Sequence, residues 1–209
     1  MEEFEYQIID DWKGMEHYEK FFDHLLYSDQ LDFRLTPTTG NRVDIKFLNF
    51  SYLSWVHHFS LRIEDHGNIQ KPVCPYYFSV MRYVIDFCDD MKIPFAYVGR
   101  SALNIQYPSD TNDTWCEPHV DHGYPHIQMI TYLNDSDGDT ILYNRKKPSN
   151  LRKTFLDTEE ELSGLEDYAR ITPKKGRVLL FDGARYHGAD FCTKGARAVL
   201  VNTIVQAPQ

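Results

Sequence analysis

The sequence predicts an α+β protein, with helices concentrated in the first half and strands in the second. Apolar residues recur at helical spacing in residues 11–29, and the same spacing returns after Pro75. From Ala96 onward, short runs rich in β-branched and aromatic residues alternate with Gly, Pro, Asn or Asp, which is typical of strands and turns. Helices followed by many strands favour a second half built as a β-sandwich or barrel.

The first half is predicted to hold two amphipathic helices separated by strands. In residues 11–29 the predicted buried stripe is formed by Met15, Tyr18, Phe21, Phe22, Leu25 and Leu26. "YYFSVMRYVIDFCDDMK", before Pro94, has the same helical spacing of apolar residues as residues 11–29. Between them, residues 31–63 alternate with period two and are broken by "TPTTGN", so strands and a turn are expected there. The second helix should pack on the sheet, because its apolar stripe needs a partner.

The second half reads as a succession of strands with one short helix inserted. Thr158 and Glu161 have the spacing of a capping box, which predicts a helix beginning after Thr158. The predicted strands are "AYVGRSALNIQY", "HIQMITYLN", "DTILYN", "ARITP", "GRVLLFD" and "RAVLVNTIV".

Length and composition favour a single domain over residues 1–209, in which residues 1–95 support a core formed by residues 96–205. The formal charge of −9 argues against broad attraction to nucleic acid or to anionic membranes. No stretch approaches the roughly 18 apolar residues of a membrane span, and the N-terminus lacks the pattern of a signal peptide. The cysteines contain no C-x-x-C pair and are expected to be reduced, so we expect a cytoplasmic protein.

"WCEPHVDHGY" places His119 and Asp121 two positions apart, and on an extended strand both side chains emerge on the same face. Two ligands rarely suffice for a metal ion, and His187 follows 66 residues after Asp121. Two histidines and one carboxylate form the facial triad of non-heme Fe(II) oxygenases. Zinc hydrolases can use a similar set, but the HExxH helix of metalloproteases is absent. His122 and His126 are expected to be loop or surface residues and not additional ligands.

Arg197 lies ten positions after His187 and opens the last predicted strand, where it shares one face with Val199, Val201 and Thr203. A charge on a buried face needs a partner. A planar carboxylate matches the guanidinium fork, and 2-oxoglutarate offers such a carboxylate at its distal end.

The order His-x-Asp, distal His and Arg at +10 resembles the Fe(II)/2-oxoglutarate-dependent dioxygenase superfamily over residues 119–197, with a wider resemblance over 96–205. "TYLNDSDGDTILY" is similar to the prolyl 4-hydroxylase-like branch. That resemblance implies that Tyr132 offers its hydroxyl to the distal carboxylate of 2-oxoglutarate. It also implies that Tyr107, in "NIQYP", faces the cosubstrate or the substrate. The sequence departs from the family at Val199, where some relatives have serine, and at Asp137-Gly138-Asp139, which replaces a double glycine.

The resemblance implies a double-stranded β-helix, or jelly-roll, with N-terminal helices buttressing the major sheet. It implies that His119, Asp121 and His187 bind Fe(II) and carry the catalysis, with 2-oxoglutarate and O2 as cosubstrates and succinate and CO2 as coproducts. The expected reaction is hydroxylation of a prolyl or amino-acid-like substrate, either a small molecule or a peptide, rather than of nucleic acid. Residues 108–118, with Trp115, and the basic residues 144–153 are candidate lids over the substrate.

Two other classes of protein fit part of the pattern. A cupin-like metal-binding barrel without oxygenase activity, such as an isomerase or a ligand-binding module, would use the same ligands. Arg197 disfavours it, because a buried arginine has little use in a barrel without an anionic cosubstrate. A degenerate interaction protein is disfavoured because all three ligands are present.

Overall fold

Two antiparallel sheets face each other across the interior of the protein, as the sequence predicts for its second half. The structure is a computed structural model that describes residues 5–28, 31–36, 54–60, 74–108, 116–149, 151, 154–156 and 158–206. Within those residues, no helix is both long enough and apolar enough to cross a membrane.

Ten strands build the two sheets. In chain order they are β1 Tyr6–Ile9, β2 Arg34–Thr36, β3 Ser54–Ser60, β4 Tyr97–Gln106, β5 Ile127–Tyr132, β6 Thr140–Lys146, β7 Asp167–Ile171, β8 Val178–Asp182, β9 Arg185–Ala189 and β10 Arg197–Val205. The major sheet has the order β1-β8-β5-β10-β4-β3-β2, and the minor sheet has the order β7-β6-β9. This jelly-roll arrangement confirms the predicted fold class.

The barrel interior lies between the two sheets and is lined by alternate residues of their strands. Ile130 and Tyr132 of β5 pack there with Val199 and Val201 of β10 and with Leu142 of β6. β10 is central in the major sheet, because it pairs with both β4 and β5. The register of these pairings decides which side chains face the interior together.

Two helices cover the outer face of the major sheet, as predicted. They are α1, Glu19–Tyr27, which follows a 3-10 turn at Lys13–His17, and α2, Tyr77–Met91. Tyr83 of α2 is fully buried, and its hydroxyl lies 2.7 Å from the Oγ1 of Thr131 on β5. The helices therefore buttress the strand that carries Tyr132.

The predicted capping box is present at the start of a short helix, α3, Glu159–Leu162. The Thr158 hydroxyl accepts a hydrogen bond from the Glu161 backbone N–H, and the Glu161 carboxylate accepts one from the Thr158 N–H, both at 3.2 Å. The sequence analysis did not predict β1, in the acidic N-terminal segment. It treated "GRVLLFDGARYHGA" as one strand-like stretch, in which the structure separates β8 from β9, the strand that carries His187. The predicted strands and turn within residues 37–53 and 61–63 lie outside the described residues.

We predict that Tyr83 anchors α2 to the sheet. Tyr83→Phe should lower the free energy of unfolding by about 1–3 kcal/mol, because the buried Thr131 hydroxyl loses this partner. Tyr83→Ala should cost about 3–5 kcal/mol, because it also leaves a cavity. Urea denaturation of both variants measures these values. Phe78→Ala is the matched control on the same helix, since Phe78 is 75% exposed; equal losses in Phe78→Ala and Tyr83→Ala would contradict the prediction.

Candidate functional site

The predicted triad comes together between the segment before β5 and strand β9. One potential ligand atom from each of His119, Asp121 and His187 lies within 4.8 Å of the other two. Backbone pairing creates this arrangement: the His119 N–H donates to the His187 carbonyl and the His187 N–H donates to the His119 carbonyl, both at 2.9 Å. Val120, between the two N-terminal ligands, points the opposite way into a small apolar cluster, as expected for an extended segment.

Both imidazoles are held in the orientation that a metal ligand needs. The Nδ1 of His119 lies 2.8 Å from the Glu117 carbonyl, and the Nδ1 of His187 lies 3.2 Å from the Arg185 carbonyl. Each Nδ1 therefore carries the hydrogen and donates it, which leaves each Nε2 lone pair for an ion. Two imidazole nitrogens and one carboxylate oxygen fit Fe(II) and other divalent transition metals.

The protonation states of the triad also suit a metal. Burial opposes ionisation of Asp121, but the Arg100 guanidinium, 3.6 Å away, and the neighbouring imidazoles outweigh it and hold the pKa of Asp121 well below its usual value. Burial, followed by repulsion from His119, lowers the pKa of His187 to about 3. At neutral pH, Asp121 is therefore an anion and His187 a neutral imidazole, which are the forms that bind metal ions.

Arg197 lies at the other end of the same interior, and only 4% of its surface is exposed. Its Nε donates to the Gly138 carbonyl at 3.0 Å, its Nη1 to the Gln106 Oε1 at 3.1 Å and its Nη2 to the Thr140 Oγ1 at 2.7 Å. These acceptors are all neutral. Three of the five guanidinium N–H groups are thus used within the described part of the chain, which leaves one on each terminal nitrogen, the pair that a carboxylate binds.

Tyr132 lies beside Arg197. Its hydroxyl donates to the Thr140 Oγ1 at 2.7 Å, and its ring centre lies 5.9 Å from the guanidinium carbon. Burial raises the pKa of Tyr132, so the hydroxyl keeps its proton. Thr140 accepts from both residues and joins them into one cluster.

Tyr107 is not brought into this cluster. It is 46% exposed and follows the last residue of β4, whereas Gln106, at the preceding position, pairs directly with Arg197 and points inward. Sequence reasoning did not single out Gln106 or Thr140. Gln106 and Arg197 are 91 positions apart in the chain, so their pairing leaves no local pattern in the sequence.

The turn Asp137-Gly138-Asp139 requires glycine at its central position. A Cβ at this position would lie 2.8 Å from the Asp190 carbonyl oxygen, 3.0 Å from the Cys192 nitrogen and 3.3 Å from the Cδ of Arg197. Only glycine allows the turn to approach this closely, and that approach lets its carbonyl accept from Arg197.

The distance between the two clusters can be estimated along β6. Leu142 is directly opposite His187, and Thr140 lies two residues before it on the same face. Two residues of strand span roughly 7 Å. The Arg197 cluster and the triad are therefore separated by about the length of a short dicarboxylate.

The remaining predicted residues have other environments. His122 and His126 lie in the loop between Asp121 and β5, outside the group of candidate ligands, and they are buried, with 3% and 6% exposure. They pack together, with ring centres 5.2 Å apart, because the segment after Asp121 folds back over the barrel to reach β5. In the basic candidate lid, Arg145 donates to the carbonyls of Glu161 and Ser163. Trp115 lies outside the described residues.

No protein-family model matches the sequence, and no curated protein is similar to it in sequence. Solved structures do match. A 2OG-Fe(II) oxygenase family oxidoreductase from Burkholderia pseudomallei matches with a TM-score of 0.68 and 15% identity, over 97% of this chain and 85% of that one. The alpha-ketoglutarate-dependent carbocyclase SnoK from nogalamycin biosynthesis matches with a TM-score of 0.60 and 12% identity, over 98% and 81% of the two chains.

A prolyl-4-hydroxylase from Pseudomonas putida also matches, with a TM-score of 0.54 and 8% identity, over 98% of this chain and 94% of that one. These identities are low, and the likeness extends over nearly the whole of this chain. The comparison therefore concerns the fold: the chain has the jelly-roll fold of the 2-oxoglutarate/Fe(II) oxygenases.

Proposed function

We propose that the protein is an Fe(II)- and 2-oxoglutarate-dependent dioxygenase. The observation that carries this proposal is the pairing of a His-Asp-His triad with a buried arginine in one interior. A buried cation without a counter-charge is unfavourable, so Arg197 is best explained by an anionic ligand. The separation of roughly 7 Å suits a ligand that reaches from Arg197 to the metal. The fold of the oxygenases agrees with both features.

The roles of the residues follow from their contacts. His119 and His187 would bind iron through Nε2, and Asp121 would bind it through its carboxylate and neutralise part of its charge. Arg197 would hold the distal carboxylate of 2-oxoglutarate through its two remaining N–H groups, with the protonated Tyr132 hydroxyl beside it. The buried walls around this site limit access of water. Iron and 2-oxoglutarate, when bound, supply the oxidising power by consuming O2.

Within this class, we propose hydroxylation of a prolyl or amino-acid-like substrate. The similarity of "TYLNDSDGDTILY" to prolyl 4-hydroxylases and the structural likeness to one of them support this choice. The likeness to a carbocyclase is a reason to test the reaction directly, because an enzyme of this fold forms a ring instead. The acidic composition supports a substrate other than nucleic acid.

We predict that the triad binds one Fe(II). Asp121→Ala or His187→Ala should weaken binding by more than the roughly 10- to 100-fold that loss of an outer-shell partner costs, because each removes a direct ligand. Anaerobic titration with Fe(II) measures the affinity and the stoichiometry. His24→Ala is the matched control, since His24 is exposed and bonds to Tyr76. Wild-type iron binding in both triad variants would refute the metal site.

Arg197 is predicted to determine the affinity for 2-oxoglutarate. Arg197→Ala should weaken binding by about ten- to more than a hundredfold, because hydrogen bonds to a charged group are lost. Arg197→Lys should be intermediate, since it keeps the charge and loses the fork. Anaerobic calorimetry with Mn(II) in place of iron measures this affinity. Arg177→Ala removes an arginine bound to Asp10 and serves as the control; equal affinities in all four proteins would rule out the role.

The reaction itself is predicted to couple succinate formation to the gain of one oxygen atom by the substrate. Proline-containing peptides and free amino acids should give both products, whereas methylated oligonucleotides should give neither. Mass spectrometry of both products provides the measurement. Turnover with the oligonucleotides alone would reverse the choice of substrate and leave the dioxygenase proposal intact.

A further inference from the structure

Gln128 points into the barrel at the level of the triad. It shares its face of β5 with Ile130 and Tyr132, which belong to the interior cluster, because alternate residues of a strand face the same side. Its side chain is fully buried. A polar side chain at such a position normally has hydrogen-bond partners.

Neither end of the Gln128 amide has a partner among the described residues. Its Nε2 and its Oε1 are both buried without a hydrogen bond. A buried donor and a buried acceptor without partners are unfavourable, so Gln128 lowers the free energy of unfolding of the ligand-free protein. A residue that carries such a cost in an interior cavity is a candidate for contacting a ligand.

The neighbours of Gln128 place it across the barrel from the metal ligands. On one side it pairs with Phe181, whose ring centre lies 4.9 Å from that of His187. On the other side it pairs with Thr203, whose hydroxyl lies 3.0 Å from the Nε2 of His122, the residue after Asp121. Both neighbours therefore contact the triad or the segment that carries it.

Gln128 is too far from the Arg197 cluster to contact the same end of a cosubstrate. It lies four residues before Tyr132 on β5, which corresponds to roughly 13 Å, whereas the triad lies roughly 7 Å from that cluster. Gln128 therefore lies on the far side of the triad from Arg197. That is the side on which a molecule other than 2-oxoglutarate would approach the metal.

His126 adds a second unpaired group in the same region. Its Nδ1 donates to the Tyr124 carbonyl at 2.7 Å, so its Nε2 is an acceptor, and this Nε2 is also buried without a partner among the described residues. Its ring packs on that of His122, which bonds to Thr203. Together, Gln128 and His126 present one donor nitrogen, with two N–H groups, and two acceptor atoms, and none of the three atoms belongs to a carboxylate or an ammonium group.

We propose that Gln128 is a specificity-determining residue that holds a neutral amide group of the prime substrate. The substrate N–H donates to the Gln128 Oε1, while the Gln128 Nε2 donates to a carbonyl oxygen of the substrate. An amide N–H supplies the donor that the buried Gln128 Oε1 lacks. A carboxylate lacks the donor, and an ester lacks the N–H. This inference rests on the proposed function, and it narrows the substrate class to molecules with an amide bond near the oxidised carbon.

The test uses the apolar variants Gln128→Met and Gln128→Leu, with N-acetylproline methylamide and its methyl ester as probes. Calorimetry with protein that holds Mn(II) and 2-oxoglutarate should show that the wild type binds the methylamide about three- to tenfold more tightly than the ester, the value of one neutral hydrogen bond. Both variants should lose this preference. Both should also have a higher Tm than the wild type without probe, because an unpaired buried amide is replaced by an apolar group.

Gln7→Leu is the matched control, since Gln7 is exposed on β1, and it should keep the preference for the amide. A lower Tm in both apolar variants would assign Gln128 a structural role and overturn the proposal. Equal affinity of the wild type for the two probes, or no binding of either, would overturn it as well. Failure to bind 2-oxoglutarate would instead contradict the proposed function. The Tm comparison needs no ligand, so it would still show whether Gln128 has a structural role.

Discussion

The antiparallel register of β10 is the constraint on which the rest of the site depends. Because β10 pairs with both β4 and β5, each residue of β10 determines which residue of β4 and which residue of β5 lie beside it. Arg197, at its start, meets Gln106, whereas Thr203, near its end, lies between Arg100 and Gln128. A slip of one residue would turn this entire face outward, so the packing of the interior and the geometry of the site are specified together.

The buried charges at the two ends of this interior have different partners. The Asp121 carboxylate is compensated within the protein, because the Arg100 guanidinium lies 3.6 Å away. Among the described residues, the hydrogen-bond partners of Arg197 are neutral oxygens. The first arrangement keeps a metal ligand ionised in the free protein, and the second favours binding of an anion. A short dicarboxylate with a metal-chelating end satisfies both.

Much of the fold and the outline of the site could be predicted from the sequence. Periodicity identified both helices and most strands of the second half, and the i, i+2 spacing of His119 and Asp121 identified part of the triad. Gln106 and Thr140 were missed, because their roles depend on pairing with distant strands and leave no local pattern. The burial of His126 likewise leaves no local pattern, because it arises from packing against Gly183 of the turn between β8 and β9.

The central claim is that the triad and Arg197 are two ends of one binding site. Reciprocal titration of Mn(II) and 2-oxoglutarate tests it most directly, because the free energy by which one ligand favours the other must be equal in both directions. The account predicts that Mn(II) tightens binding of 2-oxoglutarate, that 2-oxoglutarate tightens binding of Mn(II) by the same factor, and that the coupling disappears in Asp121→Ala. Independent binding of the two ligands in the wild-type protein would contradict it.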